Sequence, residues 1–548
     1  MKSYTERLAT RPGLALAFLV LIALLFYLPG FTSLPPTDRD EARFAQASRQ
    51  MRESGDLVDI RFQEVPRYKK PIGIYWLQAG AAALVGEAPG TIWPYRLPSL
   101  LAAIVALGFV LRLGERLFDR RVGLIGALLL AACLLLAVEA RLAKTDATLL
   151  AATMAGVDAL AAAYLGQARR WTWLLFWVAV SIGILVKGPV LPLILIATTA
   201  ALAIADRRIR WLAALKPLRG LPILVLLVAP WLVAIGLASH GGFFTASLGQ
   251  DFGAKLLGGE EFHGAPPGYY LLMLALTMWP SGLLAAAAAP AVWQQRRQPA
   301  FRFLLAWLLP AWILLELIPT KLPHYVLPLY PALALAAAAV YADPARRLAA
   351  GWPRWLAAVG VGIWLAVGLV LPAGVLFLEW RVGAGFDAAA PATLVLVGGA
   401  MLATLKLLGR DRRDPALAAL LAASLALQAG AFGLMLPRFD AIWLSRQAAR
   451  LVAAASPCAG PVVAATGYEE PSLVFLLGTG TRLGGPHESA RFLLDSRGRA
   501  CALALVSDDA DQVFRGALGG AEPRALGQVA GVNYSNGRRL QLTLYALP

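Results

Sequence analysis

Long apolar runs recur along this chain of 548 residues, and they limit its fold more than any other feature. Runs of about 18 residues or more match the length that an α-helix needs to cross roughly 30 Å of hydrocarbon. Hydrophobic residues make up 59% of the chain and charged residues only 15%, whereas average soluble domains carry about 25% charged residues. The sequence therefore predicts a polytopic integral membrane protein.

Hydropathy predicts thirteen transmembrane helices, and the basic loops between them set their orientation. The first helix, in residues 1–31, begins after basic residues and has no small-residue cleavage site behind it, so we expect an uncleaved helix with a cytoplasmic N-terminus. Arginine-rich cytoplasmic loops account for the net charge of +17, and nucleic acid is not expected as a partner. The other twelve helices are predicted near residues 94–112, 122–140, 146–165, 171–187, 189–205, 220–238, 268–292, 303–319, 325–342, 355–378, 391–408 and 415–436.

This orientation divides the chain into two domains. Residues 1–436 form the transmembrane domain, with a long first outer loop at 32–93 and a second large outer loop at 239–267. Residues 437–548 alternate short apolar stretches with polar ones, a pattern that predicts a small α/β domain. We expect this domain to lie on the outer side of the membrane, opposite the N-terminus.

The stretch that most strongly indicates a functional site is residues 35–52, PPTDRDEARFAQASRQMR, directly after the first helix. It places Asp38, Asp40 and Glu41 at the start of a predicted helix that also carries Arg43. Acidic residues in a first turn stabilise a helix N-terminus, so capping of an interfacial helix is one explanation. Charge that clusters at a membrane span is more often functional, and one of these carboxylates could act as a general base or bind a cationic group on a sugar.

Basic residues follow in the same loop, at Arg61 and in RYKKPIGIYW at 67–76. Arg61, Arg67, Lys69 and Lys70 run against the positive-inside trend, so their position needs another reason. Lysine binds phosphate as a point charge, and arginine engages it through two N–H groups. These residues predict a phosphate site, and the alternative is general contact with lipid headgroups.

Short outer loops add isolated ionisable residues at the ends of predicted helices. Any one of them alone is better explained as an interfacial anchor or a snorkelling side chain. Together they can converge with the first loop on one side of the bilayer, which favours a shared site. They are Arg141, Lys144, Asp146, Lys187, Lys321, His324, Tyr325 and Tyr330.

Several other kinds of site are not indicated. The sequence has no P-loop, no Rossmann glycine pattern and no serine elbow, which disfavours a nucleotide-dependent mechanism. Glu260 and His263 are too few ligands for a strong metal signal, so we expect no cofactor, while a divalent metal at these two residues stays an open alternative. Cys458 and Cys501 lie in the C-terminal region, where an extracytoplasmic location would allow a disulfide, and their pairing stays open.

Together these motifs resemble the membrane glycosyltransferases that use polyprenyl-phosphate sugar donors, the class of the protein O-mannosyltransferases. Within that class the chain is most similar to the bacterial 4-amino-4-deoxy-L-arabinose (aminoarabinose) lipid A transferase family. The resemblance ends near residue 333 and does not extend piece by piece into the C-terminal domain. The matching pieces are DEARFAQASRQM at 40–51, SGDLV at 54–58, RYKKPIGIYW at 67–76, KTDA at 144–147, VKGP at 186–189 and PTKLPHYVLPLYPAL at 319–333.

The resemblance implies a GT-C-like, all-α polytopic domain with a C-terminal α/β periplasmic domain, in the bacterial inner membrane. It implies aminoarabinose on undecaprenyl phosphate as the donor and a phosphate group of lipid A as the acceptor. The family's acid–acid–Thr–Arg motif has Ala42 in the third position here, which puts the need for a Thr hydroxyl in doubt. The implied catalytic residues are Asp40, Glu41 and Asp146, and the implied substrate- or phosphate-binding residues are Arg43, Lys69, Lys70, Lys187, Lys321, His324, Tyr325 and Tyr330.

The expected reaction inverts the sugar carbon, because attack occurs opposite the leaving phosphate. An ionised lipid A phosphate needs no strong base, so Asp40 would mainly orient substrates or contact the sugar ammonium, whereas a Ser or Thr acceptor would need it as a base. One alternative is a related transferase that moves another sugar, such as mannose, onto protein or another glycolipid. A second alternative is a transporter of polyprenyl lipids, which would leave the carboxylates of the first loop unexplained. We expect the chain to act as a monomer among membrane lipids.

Overall fold

The computed structural model describes residues 4–253, 264–343, 345, 351–382, 388–497 and 501–547. Within these residues, eight helices are long and apolar enough to cross a membrane, and five shorter apolar helices lie among them. The chain is therefore an integral membrane protein, and the prediction of a helical polytopic domain is confirmed. The long helices are Trp93–Leu117, Asp146–Tyr164, Pro217–Ala238, Pro299–Leu317, Pro323–Ala342, Arg354–Leu378, Ala389–Gly409 and Arg413–Arg438, and the shorter ones are Pro12–Tyr27, Gly73–Val85, Thr172–Lys187, Val190–Asp206 and Gly282–Gln294.

Some spans that are single apolar runs in the sequence are broken helices in the structure. The predicted 122–140 span consists of two helices, Arg120–Ala131 and Leu134–Glu139, and the backbone of Cys133 between them is extended. Hydropathy is averaged over a window and does not register such a break. Other breaks separate Tyr269–Thr277 from Gly282–Gln294, and a π-helical turn at Ala429–Met435 follows Arg413–Gln428.

The helix Asp146–Tyr164 is the most enclosed part of the bundle, and nearly all of its residues are buried. It packs between Trp93–Leu117 and Thr172–Lys187, and its alanine-rich surface allows the close approach that small residues give to membrane helices. Its first residue, Asp146, is therefore held at a fixed place at one end of the bundle.

The first long loop is mostly ordered into regular elements. The predicted acidic helix is present at Asp40–Ser54 and ends at Gly55, whose φ of +74° suits a glycine in the left-handed cap position. A short antiparallel hairpin follows, with strands β1 (Arg61–Phe62) and β2 (Val65–Pro66). The helix Gly73–Val85 was not predicted, because its 13 residues are too few to span a bilayer and fall within the range assigned to the loop.

The C-terminal residues form a mixed five-stranded sheet in the order β4-β3-β5-β7-β6, which confirms the predicted α/β class. β3 is parallel to β4 and β5, whereas β7 is antiparallel to β5 and β6. Leu503 and Leu505 of β5 pack on one face of the sheet, and Ala504 and Val506 pack on the other, as the two-residue period of a buried strand requires. The strands are β3 (Val462–Thr466), β4 (Arg482–Leu483), β5 (Ala502–Ser507), β6 (Arg524–Asn533) and β7 (Arg538–Ala546).

Helices cover both faces of this sheet. Leu444–Ala455 and Pro471–Leu477 pack on the face of Leu503, and Pro486–Ser496 and Asp511–Ala517 pack on the opposite face. A disulfide joins Cys458 and Cys501, whose Cα atoms lie 6.0 Å apart, so the pairing that the sequence left open is present. The remaining short helical segments of the described chain are Tyr4–Ala9, Arg210–Leu215, Gly242–Phe244, Thr245–Gly253 and Asp440–Ile442.

Candidate active site

Glu41 is held more firmly than any neighbouring acid of the first long loop. Arg96 donates to its two oxygens at 2.7 and 3.0 Å, and the backbone N–H of Ala143 and the N–H and hydroxyl of Thr37 each donate at 2.9 Å. Burial alone would raise the pKa of Glu41, but the Arg96 charge and these hydrogen bonds outweigh it and lower the pKa below its ordinary value. Both oxygens are therefore fully engaged, and Glu41 ties its helix to the loop at residues 140–145.

Asp40, one residue earlier, has the opposite environment. Its side chain is exposed, and across the described part of the chain no residue donates a hydrogen bond to its carboxylate. Its negative charge favours the protonated forms of Arg43 and Lys144, so the carboxylate lies near both cations. The residue that the sequence analysis put first among the catalytic acids is therefore open to a substrate.

Five charged or titratable side chains form a buried group that we call the neutralised cluster: Glu139, Lys144, Asp146, Lys187 and His324. Lys144 Nζ lies 3.0 Å from a Glu139 oxygen and 3.8 Å from one of Asp146. Lys187 forms an ion pair with the other Asp146 oxygen, and His324 Nε2 lies 4.0 Å from that same oxygen. Two ammonium groups thus balance two carboxylates, and residues from separate loops of the sequence meet at one place.

Three members of the neutralised cluster have the residue types of a metal site. The ligand atoms of Glu139, Asp146 and His324 all lie within 4.8 Å of one another. Because each carboxylate already pairs with a lysine of the cluster, an ammonium would have to leave before a divalent ion could bind, so these residues fit a lysine-neutralised cluster better than a metal. The alternative metal site considered from the sequence, Glu260 and His263, lies outside the described residues.

A largely apolar cavity of about 410 Å³ adjoins the neutralised cluster through Lys187. Lys69, Lys70 and Lys187 are the charged side chains among the described residues that line it. The Lys187 ammonium also lies 5.3 Å from the ring centroid of Tyr325, another lining residue. An apolar cavity with three ammonium groups can accommodate a phosphate headgroup and the start of a long hydrocarbon chain.

Two of the expected binding residues, Lys321 and Tyr330, do not line this cavity. Lys321 is buried, and its ammonium donates to the backbone oxygens of Ala265 at 2.8 Å and Ile318 at 2.7 Å. Tyr330 is fully buried, and its hydroxyl bonds to Thr277. In this structure both polar groups join segments of the fold, and their role in substrate binding stays a prediction.

We call the cavity lined by Lys69, Lys70 and Lys187 the lysine cavity. Arg43, also expected to bind phosphate, does not line it. It lies beside Arg67 of the hairpin segment, and burial together with the Arg67 charge lowers the pKa of Arg43. Both side chains project from the first long loop, so their proximity follows from the fold of that loop. We call Arg43 and Arg67 the arginine pair.

The C-terminal domain holds the two residues that precede Asp40. The N–H of Ser472 donates to the Asp38 carboxylate at 3.2 Å, and the N–H of Asp38 donates to the Tyr534 hydroxyl at 2.6 Å. Arg39 donates to a backbone oxygen of the same domain at 2.9 Å. Burial raises the pKa of Asp38 to about 6. The position of Asp40 therefore depends on contacts more than 400 residues away in the sequence.

Two residues of the site escaped the sequence analysis. Arg96 lies at the start of the Trp93–Leu117 helix and is fully buried, and Glu139 lies at the end of an apolar run and is buried too. Each is an ionisable side chain within or beside a predicted span. Because such residues are rare and usually face a functional interior, that signal would have identified both.

Comparisons with known proteins show which sequences and folds this chain is similar to. Residues 69–233 match the family described as dolichyl-phosphate-mannose-protein mannosyltransferase. The chain is 29% identical over 351 residues to undecaprenyl phosphate-alpha-4-amino-4-deoxy-L-arabinose arabinosyl transferase 1 of Pseudomonas fluorescens, an alignment that covers 63% of this chain and 62% of the relative. It is 31% identical over 327 residues to the Pseudomonas aeruginosa transferase of that name, with 58% of each chain covered. The chain thus aligns with only about three fifths of the length of these relatives.

The whole fold has a counterpart among solved structures. ArnT from Cupriavidus metallidurans bound to undecaprenyl phosphate superposes with a TM-score of 0.72 and 18% sequence identity, covering 96% of this chain and 97% of that chain. The apo form of the same protein gives a TM-score of 0.70, with 97% and 98% covered. Over about three fifths of its length the chain is therefore similar in sequence to the undecaprenyl phosphate-aminoarabinose arabinosyl transferases, and it has the fold of ArnT.

Proposed function

We propose that this chain is a glycosyltransferase that moves 4-amino-4-deoxy-L-arabinose from undecaprenyl phosphate to a phosphate group of lipid A. The observation that carries the proposal is the apolar cavity lined by three lysines beside the neutralised cluster. The names of the sequence relatives support the sugar, and the undecaprenyl phosphate bound to ArnT supports the carrier. The basic loops favour a cytoplasmic N-terminus, which puts the cavity and the C-terminal domain at the periplasmic face of the inner membrane.

The lysine cavity would bind the carrier phosphate. In the reaction the bond between the sugar carbon and the carrier phosphate oxygen breaks, and its electron pair leaves with the phosphate. Lys70 and Lys187 would stabilise that developing charge, in a site whose apolar walls exclude water and strengthen the interaction. Lys187 must then share its ammonium between Asp146 and the phosphate, which makes Asp146 the group that positions it.

Asp40 would act on the other substrate. A new bond forms between an acceptor phosphate oxygen and the sugar carbon, and no proton has to be removed because that phosphate is already ionised. Asp40 is exposed and free of hydrogen bonds from the described residues, so it is available to orient the sugar through its ammonium group. Attack opposite the leaving phosphate would invert the sugar carbon.

Glu41 takes a different role from the catalytic one suggested by its motif. Its oxygens are occupied by Arg96, Thr37 and Ala143, so it would act as a positioning residue. Through it the helix that carries Asp40 and the loop that carries Lys144 are held in one arrangement.

A second candidate function is transfer of mannose from the same kind of carrier. The match of residues 69–233 to a mannosyltransferase family favours it, because those residues include the lysines of the cavity. The carrier phosphate site would be the same in both cases, and the difference would lie in the contacts to the sugar.

Purified full-length chain in detergent, given lipid A and one donor at a time, separates these candidates. The donors are undecaprenyl phosphate-linked aminoarabinose and undecaprenyl phosphate-linked mannose, and the product is identified by mass spectrometry. We expect lipid A to gain aminoarabinose and not mannose, and we expect Lys70→Met to abolish the gain. The matched control is Lys216→Met, at an exposed lysine outside the cavity, which should transfer at the wild-type rate. Transfer of mannose alone, or of neither sugar by a folded wild type, would contradict the proposal.

A further inference from the structure

The arginine pair lacks the carboxylate partners that other arginines in or beside the first long loop have among the described residues. Arg67 is only 9% exposed, and its Nε–H finds no hydrogen-bond acceptor among the residues that the structure describes. Its guanidinium lies 5.0 Å from the ring centroid of Phe44. By comparison, Arg96 pairs with Glu41, and Arg49 pairs with a glutamate at 2.5 Å. Arg67 therefore lacks the partner that buried arginines nearby have.

Arg43 does not supply that partner, because it is another cation. Among the described residues Arg43 forms no ion pair and no hydrogen bond through its side chain. The charges that face it are Asp40 and Glu470, which favour its protonated form, and Arg39 and Arg67, which oppose it. Two guanidinium groups thus share a partly buried place in which no carboxylate of the described residues forms an ion pair with them. Burial of unpaired charge is costly, and an anionic ligand would remove that cost.

The chemistry of the pair indicates which anion fits. A planar guanidinium presents parallel N–H groups that match two oxygens of one phosphate, and two such groups can hold a phosphate from two sides. Arg43 lies three residues after Asp40 on the same helix, so the two side chains are neighbours on its surface. A phosphate held by the arginine pair would therefore lie beside the Asp40 carboxylate.

The carrier phosphate has a better site elsewhere. The lysine cavity is lined mainly by apolar side chains that can hold a polyprenyl chain, and neither Arg43 nor Arg67 lines it. Transfer needs a second anionic substrate on the opposite side of the sugar. The hydrogen bonds from Ser472 to Asp38 and from Arg39 to a backbone oxygen of the C-terminal domain bring that domain to the start of the same helix.

We propose that Arg43 and Arg67 form the binding site for a phosphate group of the acceptor lipid, separate from the lysine cavity that takes the carrier phosphate. This inference rests on the proposed function, because it assumes a phosphorylated glycolipid as the acceptor. It assigns Arg67, which the sequence analysis placed in a general phosphate-binding run, to recognition of the acceptor.

Binding of each lipid alone tests this assignment without requiring transfer. Full-length chain in detergent is titrated by native mass spectrometry with undecaprenyl phosphate and, separately, with lipid A that carries two phosphates. We expect Arg67→Met to weaken lipid A binding about tenfold or more, the usual loss for a charge-assisted hydrogen bond, and to leave undecaprenyl phosphate binding unchanged. Arg67→Lys keeps the charge but lacks the parallel N–H groups of a guanidinium, so it should give a smaller loss of lipid A binding. It also provides a second variant in case Arg67→Met does not fold.

The matched controls come from the same loop and from the other site. Arg61→Met removes an arginine of the same hairpin, but that side chain is 44% exposed and pairs with Asp59 at 2.7 Å, so neither lipid should be affected. Lys70→Met should give the reverse pattern, with loss of undecaprenyl phosphate binding alone.

Each other outcome has a distinct meaning. Loss of undecaprenyl phosphate binding in Arg67→Met would assign the arginine pair to the carrier phosphate and overturn the inference. Wild-type binding of both lipids by Arg67→Met and Arg67→Lys would overturn it as well and make Arg67 a structural residue. If the wild type transfers aminoarabinose to lipid A while Arg67→Met binds lipid A normally, only the inference fails. If the folded wild type neither binds lipid A nor transfers to it, the proposed function fails together with the inference.

Discussion

Asp40 and Glu41 are adjacent in the sequence, but they belong to two regions that treat charge in opposite ways. Glu41, like the neutralised cluster, is buried, and each of its oxygens meets a donor within the protein. Asp40 is exposed on the same helix, and near it lie Arg43 of that helix and the buried Arg67 of the hairpin segment. None of these three side chains has an ion-pair partner among the described residues. In the first region, which we call the saturated region, the charges of Glu41 and the neutralised cluster are paired within the protein. In the second region the charges of Asp40, Arg43 and Arg67 are left for a ligand to pair.

The difference separates residues that build the site from residues that meet substrates. A saturated buried ion pair resists rearrangement, because removal of one partner leaves an uncompensated charge. Removal of an exposed, unpaired charge such as that of Asp40 changes the stability of the fold little, but it weakens the binding or positioning of a ligand. Lys187 combines both properties, since it pairs with Asp146 and also lines the cavity.

The largest effect should be a loss of stability when the buried Glu41–Arg96 ion pair is removed. Glu41→Ala leaves Arg96 fully buried without a carboxylate, so we expect a loss of about 3–5 kcal/mol in the free energy of unfolding, measured as a lower thermal unfolding midpoint in detergent. The control is Glu115→Ala, which breaks a pair with Arg120 that is 43% exposed on the glutamate side and should cost about 1 kcal/mol or less. Equal shifts in the two variants would remove the distinction between the two regions.

Asp40→Asn should break function while sparing the fold. Loss of the carboxylate that orients the sugar should lower turnover by about 100-fold. The unfolding midpoint should not change, because the wild-type side chain is exposed and accepts no hydrogen bond from the described residues. Rates of sugar transfer and the unfolding midpoint are measured on the same preparation. Glu64→Gln, at an exposed acid of the same loop, is the control and should match the wild type in both. A stability loss as large as that of Glu41→Ala would place Asp40 in the saturated region.

Lys187→Met should affect both stability and ligand binding, because Lys187 pairs with Asp146 and also lines the lysine cavity. We expect undecaprenyl phosphate to bind about tenfold more weakly, and we expect a lower unfolding midpoint because Asp146 loses the nearer of its two lysine partners. Lys70→Met should weaken binding of the same lipid without the stability loss, because Lys70 lines the cavity and does not belong to the neutralised cluster. Identical stability losses in the two lysine variants would mean that the ion pair with Asp146 does not distinguish Lys187.

The smallest effect should be the pH dependence at Asp38, where the two domains meet. Burial raises the pKa of this carboxyl from its ordinary value to about 6, so its contribution to stability is fully present below the ordinary pKa and is lost as the pH rises through about 6. Asp38→Asn has no charge to bury, so its unfolding midpoint relative to the wild type should rise between acidic and neutral pH, by a free energy on the order of 1 kcal/mol. The measurement is thermal unfolding of both proteins from about pH 4.5 to about pH 8, conditions we choose to bracket that range. A difference that does not vary with pH would show that Asp38 is solvated in the folded protein.

The fold class was predictable because its determinants are local in the sequence. Apolar length predicts spans, and alternation in the C-terminal residues predicts strands β3, β5 and β7. The broken helices were not predictable in the same way, since the extended residue Cys133 lies inside a run whose average hydropathy is high. The helix Gly73–Val85 was missed because its length, and not its composition, departs from that of a span.

The site was predictable only as far as single motifs reach. Asp40, Lys70 and Lys187 belong to motifs that resemble those of a known family. The role of Glu41 depends on Arg96, which lies 55 residues away, and the environment of Asp38 depends on Ser472, which lies 434 residues away. No local pattern encodes such contacts, because they arise only when helices and domains pack together.

The measurement that tests the central claim most directly is the mass of lipid A from bacteria that lack their own aminoarabinose transferase but make its donor. The cells express this chain, its Asp40→Asn variant or its Glu64→Gln control at matched levels. We predict aminoarabinose on lipid A with the wild type and with Glu64→Gln, and unmodified lipid A with Asp40→Asn. Unmodified lipid A in cells that contain folded wild-type chain and donor would contradict the account.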